Sequence, residues 1–233
     1  MFTKTVFPVK DATVVPVTNQ NESFPVNRIF CVGRNYMAHA AEMGISIDKS
    51  TQKPFYFLKN ADTYVQSGSK VKYPLQTQNY HHEIELILAI GKAGKNIKAE
   101  QAFEYIYGYA CGLDMTRRDI QLKLRDEGKP WDLGKNFPQS AVMSDLVLKQ
   151  DIKVDVNQVH IELRVNGKTV QSSNTKNFIW NIGEILEDLS MYYELQPGDL
   201  IFTGTPEGVG PVVIGDILQG SVEGIAEINL EIV

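Results

Sequence analysis

Apolar residues along this chain fall mostly into short runs or onto every second position, a pattern that predicts many strands and few helices. The most apolar stretch, residues 80–91, reads as one buried strand bounded by Gly91. Residues 28–32, closing at Gly33, and the aromatic run 54–59, ending in Lys59, read as two more. So does 108–114, which ends in Asp114. Residues 159–165 alternate, Asn166-Gly167 is a strong hairpin signal, and 169–171 returns. The stretch 68–73 reads as a turn and a short strand, 199–202 as a strand, and 226–232 alternates strictly. Residues 1–27 read as an N-terminal edge segment with a strand at 12–17 broken by Pro16.

Four segments have helical composition: 34–44 with Gly44 as its stop, 98–107, 116–128, and 181–195 capped by Asn181. Thr116-Arg117-Arg118-Asp119 reads as a capping box opening the third, and Gly128 ends it. Helices and strands do not alternate regularly, and neither a repeat nor a linker interrupts the pattern. The expectation is a single strand-rich α+β domain over residues 1–233 rather than a doubly wound sheet.

Composition narrows the setting. The 233 residues suffice for one sizeable core, and 43% hydrophobic with 22% charged residues is ordinary for a soluble globular protein. A net charge of -5 without a basic block argues against nucleic acid as a partner. No window has the length of a membrane span, and the first residues lack the apolar stretch of a signal peptide. Cys31 and Cys111 sit inside apolar runs, so two buried free thiols are expected, which suits a reducing compartment. A cytosolic soluble protein is the expectation.

Two carboxylates stand at the front of the central run. Side chains alternate along a strand, so Glu83 and Glu85 share a face, with Cα atoms about 7 Å apart. Inside a core such a pair needs a shared proton, a neutralising Arg or Lys, or a divalent cation between the groups. Asp114, ending its own apolar strand, offers a third oxygen donor. Three carboxylates without Cys/His ligand spacing suit Mg²⁺ or Mn²⁺ rather than Zn²⁺. Glu-x-Glu also occurs on solvated edge strands, but the apolar run 86–90 argues against an edge. His81 and His82 face opposite ways on a strand, so at most one joins a site there. His39 and Glu42 are neighbours at i, i+3, a spacing that alone favours a solvated helix pair.

Several segments together resemble one family. His82-Glu83-x-Glu85-Leu86, Gly112-Leu113-Asp114-Met115-Thr116, Gly134-Lys135-Asn136-Phe137 and Thr203-Gly204-Thr205-Pro206-x-Gly208-Val209-Gly210 resemble the signature set of the fumarylacetoacetate hydrolase family. Val32-Gly33-Arg34-Asn35-Tyr36 with His39 and Glu42 resembles its short acylpyruvase-type branch. The resemblance spans residues 28 to 233, with Gly134 standing where Ala is common. It implies a mixed β-roll, a homodimer, and Mg²⁺, with Mn²⁺ as the alternative, held by Glu83, Glu85 and Asp114. The activities it implies are hydrolysis of acylpyruvates, decarboxylation or tautomerisation of oxaloacetate, and isomerisation or hydration of related 2-oxo acids.

A small 2-oxo acid chelates such a cation through its carboxylate and keto oxygens, and the cation stabilises the enolate left when a bond at C3 breaks. Every activity named passes through a similar enolate, so the metal predicts the intermediate and not the reaction. In the family context His39 becomes the base that takes a proton from a water attacking the distal carbonyl, with Glu42 orienting its ring. Lys135 becomes an oxyanion stabiliser. Arg34, Tyr36, Lys59, Arg118 and Thr205 are the candidate substrate contacts, the arginines for their bidentate fork. Residues 36–53, a helix and a polar stretch, are a candidate lid. The expected activity is a metal-dependent hydrolase cleaving a C–C bond in acylpyruvates or similar 3-acyl-2-oxo acids. Its rivals are an oxaloacetate decarboxylase or tautomerase, a 2-oxo acid isomerase or hydratase, and a non-catalytic ligand-binding protein. The acidic set combined with a base and a lysine argues against the last.

Overall fold

The strand pattern resolves into four sheets in a computed structural model that describes residues 4–233; positions 1–3 of the expected edge segment lie outside the described residues. An eight-stranded sheet runs in the spatial order Phe55–Lys59, Ile29–Gly33, Leu200–Phe202, Ile84–Ile90, Ile106–Asp114, Ala141–Met143, Tyr64–Gln66, with Val147–Leu148 also paired to Ile106–Asp114. It is mixed: Leu200–Phe202 runs parallel to Ile29–Gly33, and Ala141–Met143 parallel to Tyr64–Gln66, while the other pairs are antiparallel. A five-stranded sheet orders Lys168–Asn174, His160–Val165, Ile217–Val222, Ala226–Ile232 and Lys70–Val71. The strand-rich α+β architecture is the one the sequence predicts.

The central run is continuously apolar because both faces of its strand are buried. Leu86, Leu88 and Ile90 join a core with Ile161, Leu163 and Leu218 of the five-stranded sheet. Ile87 and Ala89 point the other way, into a second core with Ile29, Cys31, Phe202, Val15 and Phe24. Gly112 lets the neighbouring strand approach: a Cβ there would stand 2.3 Å from Ile87 Cδ1 and 2.7 Å from the Val142 carbonyl oxygen. Cys31 and Cys111 are both buried and free.

The α-helices are α1 (Met37–Glu42), α2 (Arg118–Asp126), α3 (Asp132–Lys135) and α4 (Ile182–Tyr192). α4 opens with a reciprocal cap: Asn181 Oδ1 accepts from Glu184 N at 3.0 Å, and Glu184 Oε2 from Asn181 N at 2.8 Å. Its residues Ile182, Ile185, Leu186 and Leu189 close the first core. Among the described residues, no helix is long and apolar enough to cross a membrane.

The structure departs from the sequence pattern in four places. Residues 80–91 are two strands: Tyr80–His82 pairs with Thr116–Arg117 and Gly210–Pro211 in a three-stranded sheet, and only Ile84–Ile90 enters the large one. Glu83 is the transfer point, where Gln171 Oε1 takes the Ile84 N–H at 3.1 Å and ends the first ladder. Residues 98–107 are not α-helical; Ala99–Tyr105 forms 3₁₀ turns, and Tyr105 offers its carbonyl to Gly91 N at 2.9 Å so that Ile106 can pair with Ile90. The expected capping box at 116–119 is absent. Thr116 Oγ1 donates to the Asp114 carbonyl at 3.1 Å, while Asp119 accepts from Thr77 and Gln78. The helix expected from residue 34 starts at Met37, because Arg34 adopts the left-handed region at φ 61°.

Candidate active site

Glu85 and Asp114 come from adjacent strands of the large sheet. Glu85 shares its face with Ile87 and Ala89, and Asp114 shares its face with Ala110, all members of the second core. Both carboxylates thus emerge at one end of that core, and Glu83 reaches it from the transfer point. One oxygen from each of the three residues lies within 4.8 Å of the others, and all three are buried.

The positive charge around them is unevenly shared. Arg118 Nη2 and Lys135 Nζ both donate to Glu83, the latter at 2.8 Å. Lys135 Nζ also donates to Asp114 Oδ2 at 2.6 Å and to Thr116 Oγ1 at 2.7 Å. Lys59 Nζ stands 2.9 Å from Asp114 Oδ1 but donates to the carbonyls of Met115 and Lys135, so that oxygen is buried without a hydrogen bond among the described residues. Glu85 pairs with no Lys or Arg among the described residues and accepts one N–H, from Gly204 at 2.7 Å.

These surroundings push the carboxyls apart. Burial alone would raise Glu83, but Lys135 and Arg118 outweigh it and hold the group well below the usual carboxylate range. Burial, reinforced by Asp114 and Glu83, pushes Glu85 well up. Burial also opposes the charge of Lys135, and Asp114 and Glu83 override it to raise that pKa. An oxygen-only donor set, an under-neutralised Glu85 and an orphaned Asp114 oxygen together fit a hard divalent cation. The three carboxylates form a divalent metal site.

A narrow cavity of about 30 Å³ opens on this site. Its lining includes the three carboxylates with His39, Arg34, Arg118, Lys135 and Thr205. His39 is buried, with Nδ1 3.2 Å from Glu42 Oε2, while the Gly208 N–H lies 3.2 Å from both oxygens of Glu42. Burial lowers the His39 pKa by more than Glu83 and Glu42 raise it, so the ring is neutral at neutral pH. Thr205 is fixed by Gln171, whose Nε2 donates to its hydroxyl at 2.9 Å.

Two expected contacts do not line the cavity. Lys59 is buried behind Asp114 and does not line the cavity. Tyr36 packs its ring 5.0 Å from that of Phe178, and its hydroxyl is buried without a partner among the described residues. Neither His81 nor His82 joins the carboxylates: His82 Nδ1 is 2.9 Å from Gln171 Oε1, and His81 is pushed down to about 4 by burial and then by Arg118. Sequence reasoning missed Gln121 and Arg125, which line the cavity beside Arg118. Their i, i+3, i+7 spacing on α2 was a readable signal. Met43, Ile45 and Phe57 also line it, from segments whose convergence has no local sign. A larger cavity of about 550 Å³ lies against α4 and touches none of the three carboxylates.

The chain is similar to known proteins in sequence and in structure. The family model described as fumarylacetoacetate (FAA) hydrolase C-terminal matches residues 28–233. A fumarylpyruvate hydrolase of a Ralstonia species is 57% identical over 190 residues, covering 82% of this chain and 98% of its own length. The mitochondrial oxaloacetate tautomerase FAHD1 of Mus musculus is 38% identical over 204 residues, 88% of this chain and 90% of its own. The crystal structure of fumarylpyruvate hydrolase from Pseudomonas aeruginosa with Mn²⁺ and pyruvate superposes with a TM-score of 0.94 at 43% identity, covering 99% of each chain.

Proposed function

This chain belongs to the fumarylacetoacetate hydrolase family and is a metal-dependent hydrolase of C–C bonds in acylpyruvates, and we propose that its substrate is fumarylpyruvate, with Mg²⁺ or Mn²⁺ at Glu83, Glu85 and Asp114. The observation that carries the reading is His39, held by Glu42 and lining the same cavity as the three carboxylates.

When bound, the cation supplies Lewis-acid polarisation of the 2-oxo acid oxygens. The residues do the rest. Glu42 accepts the Nδ1 proton of His39, which leaves Nε2 as the basic nitrogen without a protein partner among the described residues. Nε2 takes a proton from a water whose oxygen bonds to the distal acyl carbon. The bond from that carbon to C3 then breaks, its electron pair stays on the pyruvate fragment as an enolate, and the histidine returns the proton to C3. The products are a carboxylic acid and pyruvate. Lys135 and Arg118, already anchored on Glu83, set positive charge beside the oxygens that gain electron density.

The cavity, at about 30 Å³, is narrow for a substrate, which favours a wall that can move. His39, Met43 and Ile45 form that wall, which supports residues 36–53 as the lid. Turnover of fumarylpyruvate, acetylpyruvate and oxaloacetate by Mn²⁺-loaded protein, each alongside His39→Ala, tests the reading. Acylpyruvate cleavage that needs both the metal and His39 supports it. Oxaloacetate conversion that survives His39→Ala, without acylpyruvate cleavage, replaces it with a tautomerase or decarboxylase.

A further inference from the structure

The cationic side chains of the cavity are unequally engaged. Arg118 is bound to Glu83 and Gln121, and Lys135 to Glu83 and Asp114. Arg34 lines the same cavity, yet among the described residues it makes neither a side-chain hydrogen bond nor an ion pair. Its guanidinium carbon lies 5.7 Å from the Phe55 ring centre and 5.6 Å from that of Trp131, a setting that orients a cation without neutralising it. Arg125, also in the lining, pairs among the described residues only with its sequence neighbour Asp126, at 2.8 Å, and the Asp126 side chain is mostly exposed, a setting in which ion pairs are weak.

The backbone fixes Arg34 in this position. Its φ of 61° lies in the left-handed region, which a non-glycine residue keeps only where its surroundings dictate it. The next residue supplies the constraint: buried Asn35 donates to the Thr203 carbonyl at 2.8 Å and the Trp180 carbonyl at 3.0 Å, and accepts from Trp180 N at 2.8 Å. Burial, then the charge of Arg125, lowers the Arg34 pKa, and an anion beside the two guanidinium groups offsets both effects.

We propose that Arg34 and Arg125 form the subsite for a carboxylate at the acyl end of the substrate, which makes the enzyme selective for dicarboxylic acylpyruvates over those with an uncharged acyl group. This rests on the acylpyruvate hydrolase reading and deepens it. The 2-oxo acid end belongs to the carboxylate cluster with Lys135 and Arg118, which leaves the Arg34, Arg125 and Trp131 side for the acyl chain. A carboxylate there accepts charge-assisted, bidentate hydrogen bonds. A methyl in its place leaves Arg34 without a partner among the described residues and Arg125 with only its Asp126 contact, and that loss is the larger source of discrimination.

The test is kcat/KM for fumarylpyruvate and for acetylpyruvate with Mn²⁺-loaded wild type, Arg125→Met and Arg125→Lys, each checked for an intact thermal unfolding transition. Arg125→Met lowers the preference for fumarylpyruvate over acetylpyruvate by about 10- to 100-fold, mainly through the fumarylpyruvate KM. Arg125→Lys, which keeps the charge and loses the fork, falls between. Fumarate inhibits the wild type more strongly than crotonate does, and Arg125→Met narrows the gap. An unchanged preference in Arg125→Met, or a wild type that cleaves both substrates equally well, overturns the subsite and leaves the hydrolase reading standing. Cleavage of neither acylpyruvate overturns the hydrolase reading, and the subsite falls with it.

Discussion

Lys135 holds its ammonium 2.6 Å from Asp114 Oδ2 inside the protein, and the same nitrogen is 2.8 Å from Glu83 Oε2. One buried cation thus neutralises part of two carboxylates that a metal also needs. Removing it as Lys135→Met leaves three buried carboxylates facing Lys59 and Arg118 alone. The metal-free variant should lose about 3–5 kcal/mol of stability, the usual penalty for breaking a buried ion pair. Added Mn²⁺ should then raise its melting temperature by more than it raises that of the wild type. Thermal unfolding with and without Mn²⁺ measures both, and equal metal-induced shifts would show that lysine and metal do not share the task of neutralisation.

Glu85 should show the opposite balance between stability and function. Its carboxyl is pushed up by burial and then by Asp114 and Glu83, and among the described residues it is held by a single N–H. In Glu85→Gln the repulsion disappears and so does a metal ligand. The metal-free variant is expected to melt no lower than the wild type, while its stabilisation by Mn²⁺ and its turnover are both lost. A variant that still binds Mn²⁺ at wild-type affinity in calorimetry would remove Glu85 from the ligand set.

The readable parts of this site were those written locally. Asn166-Gly167, the Asn181 cap and the strict alternation of Ala226–Ile232 each specify their structure within a few residues, and the structure contains them. The carboxylate cluster was readable because an apolar strand has few reasons to carry a charge. The break at Glu83 was not, because it depends on Gln171, a residue 87 positions from Ile84 in the chain. Lys59 and Lys135 look like surface lysines in sequence, and only the packing of distant strands buries them. Arg125 carried a signal in its helical spacing from Arg118, but whether that face meets the cavity depends on how α2 docks.

His39 should set the acidic limb of the pH–rate profile. Burial lowers its pKa, so the neutral base persists below the ordinary histidine value and activity declines only at lower pH. The unfolded chain takes up the proton first, so stability also falls as pH drops through that ordinary value toward the folded one. Glu42 raises the His39 pKa, and Glu42→Gln should therefore move the limb further toward acid while slowing turnover. His39→Ala should lower kcat by about 10²- to 10⁴-fold and preserve the Mn²⁺-induced rise in melting temperature, because His39 is not a ligand. A limb that stays in place in Glu42→Gln would assign it to another group.

Gly204 links the fold to the metal site, and its replacement should damage both. Its φ is 99°, and a Cβ there would stand 2.7 Å from Asn35 Cβ and 3.2 Å from the Val32 carbonyl oxygen. Its N–H also makes the one hydrogen bond that Glu85 accepts among the described residues. Gly204→Ala should therefore lose about 2–4 kcal/mol, from backbone strain and overpacking together. Gly44 provides the control. It has a similar positive φ of 72°, but nothing lies within 4 Å of its added Cβ. Gly44→Ala should lose only the strain, about 1–2 kcal/mol. Urea unfolding gives both differences, and the Mn²⁺-induced rise in melting temperature should shrink in Gly204→Ala alone. Equal losses in the two variants would mean that the close approach of Asn35 is relaxed by a small backbone shift, and that Glu85 is not held by the turn that follows Thr203.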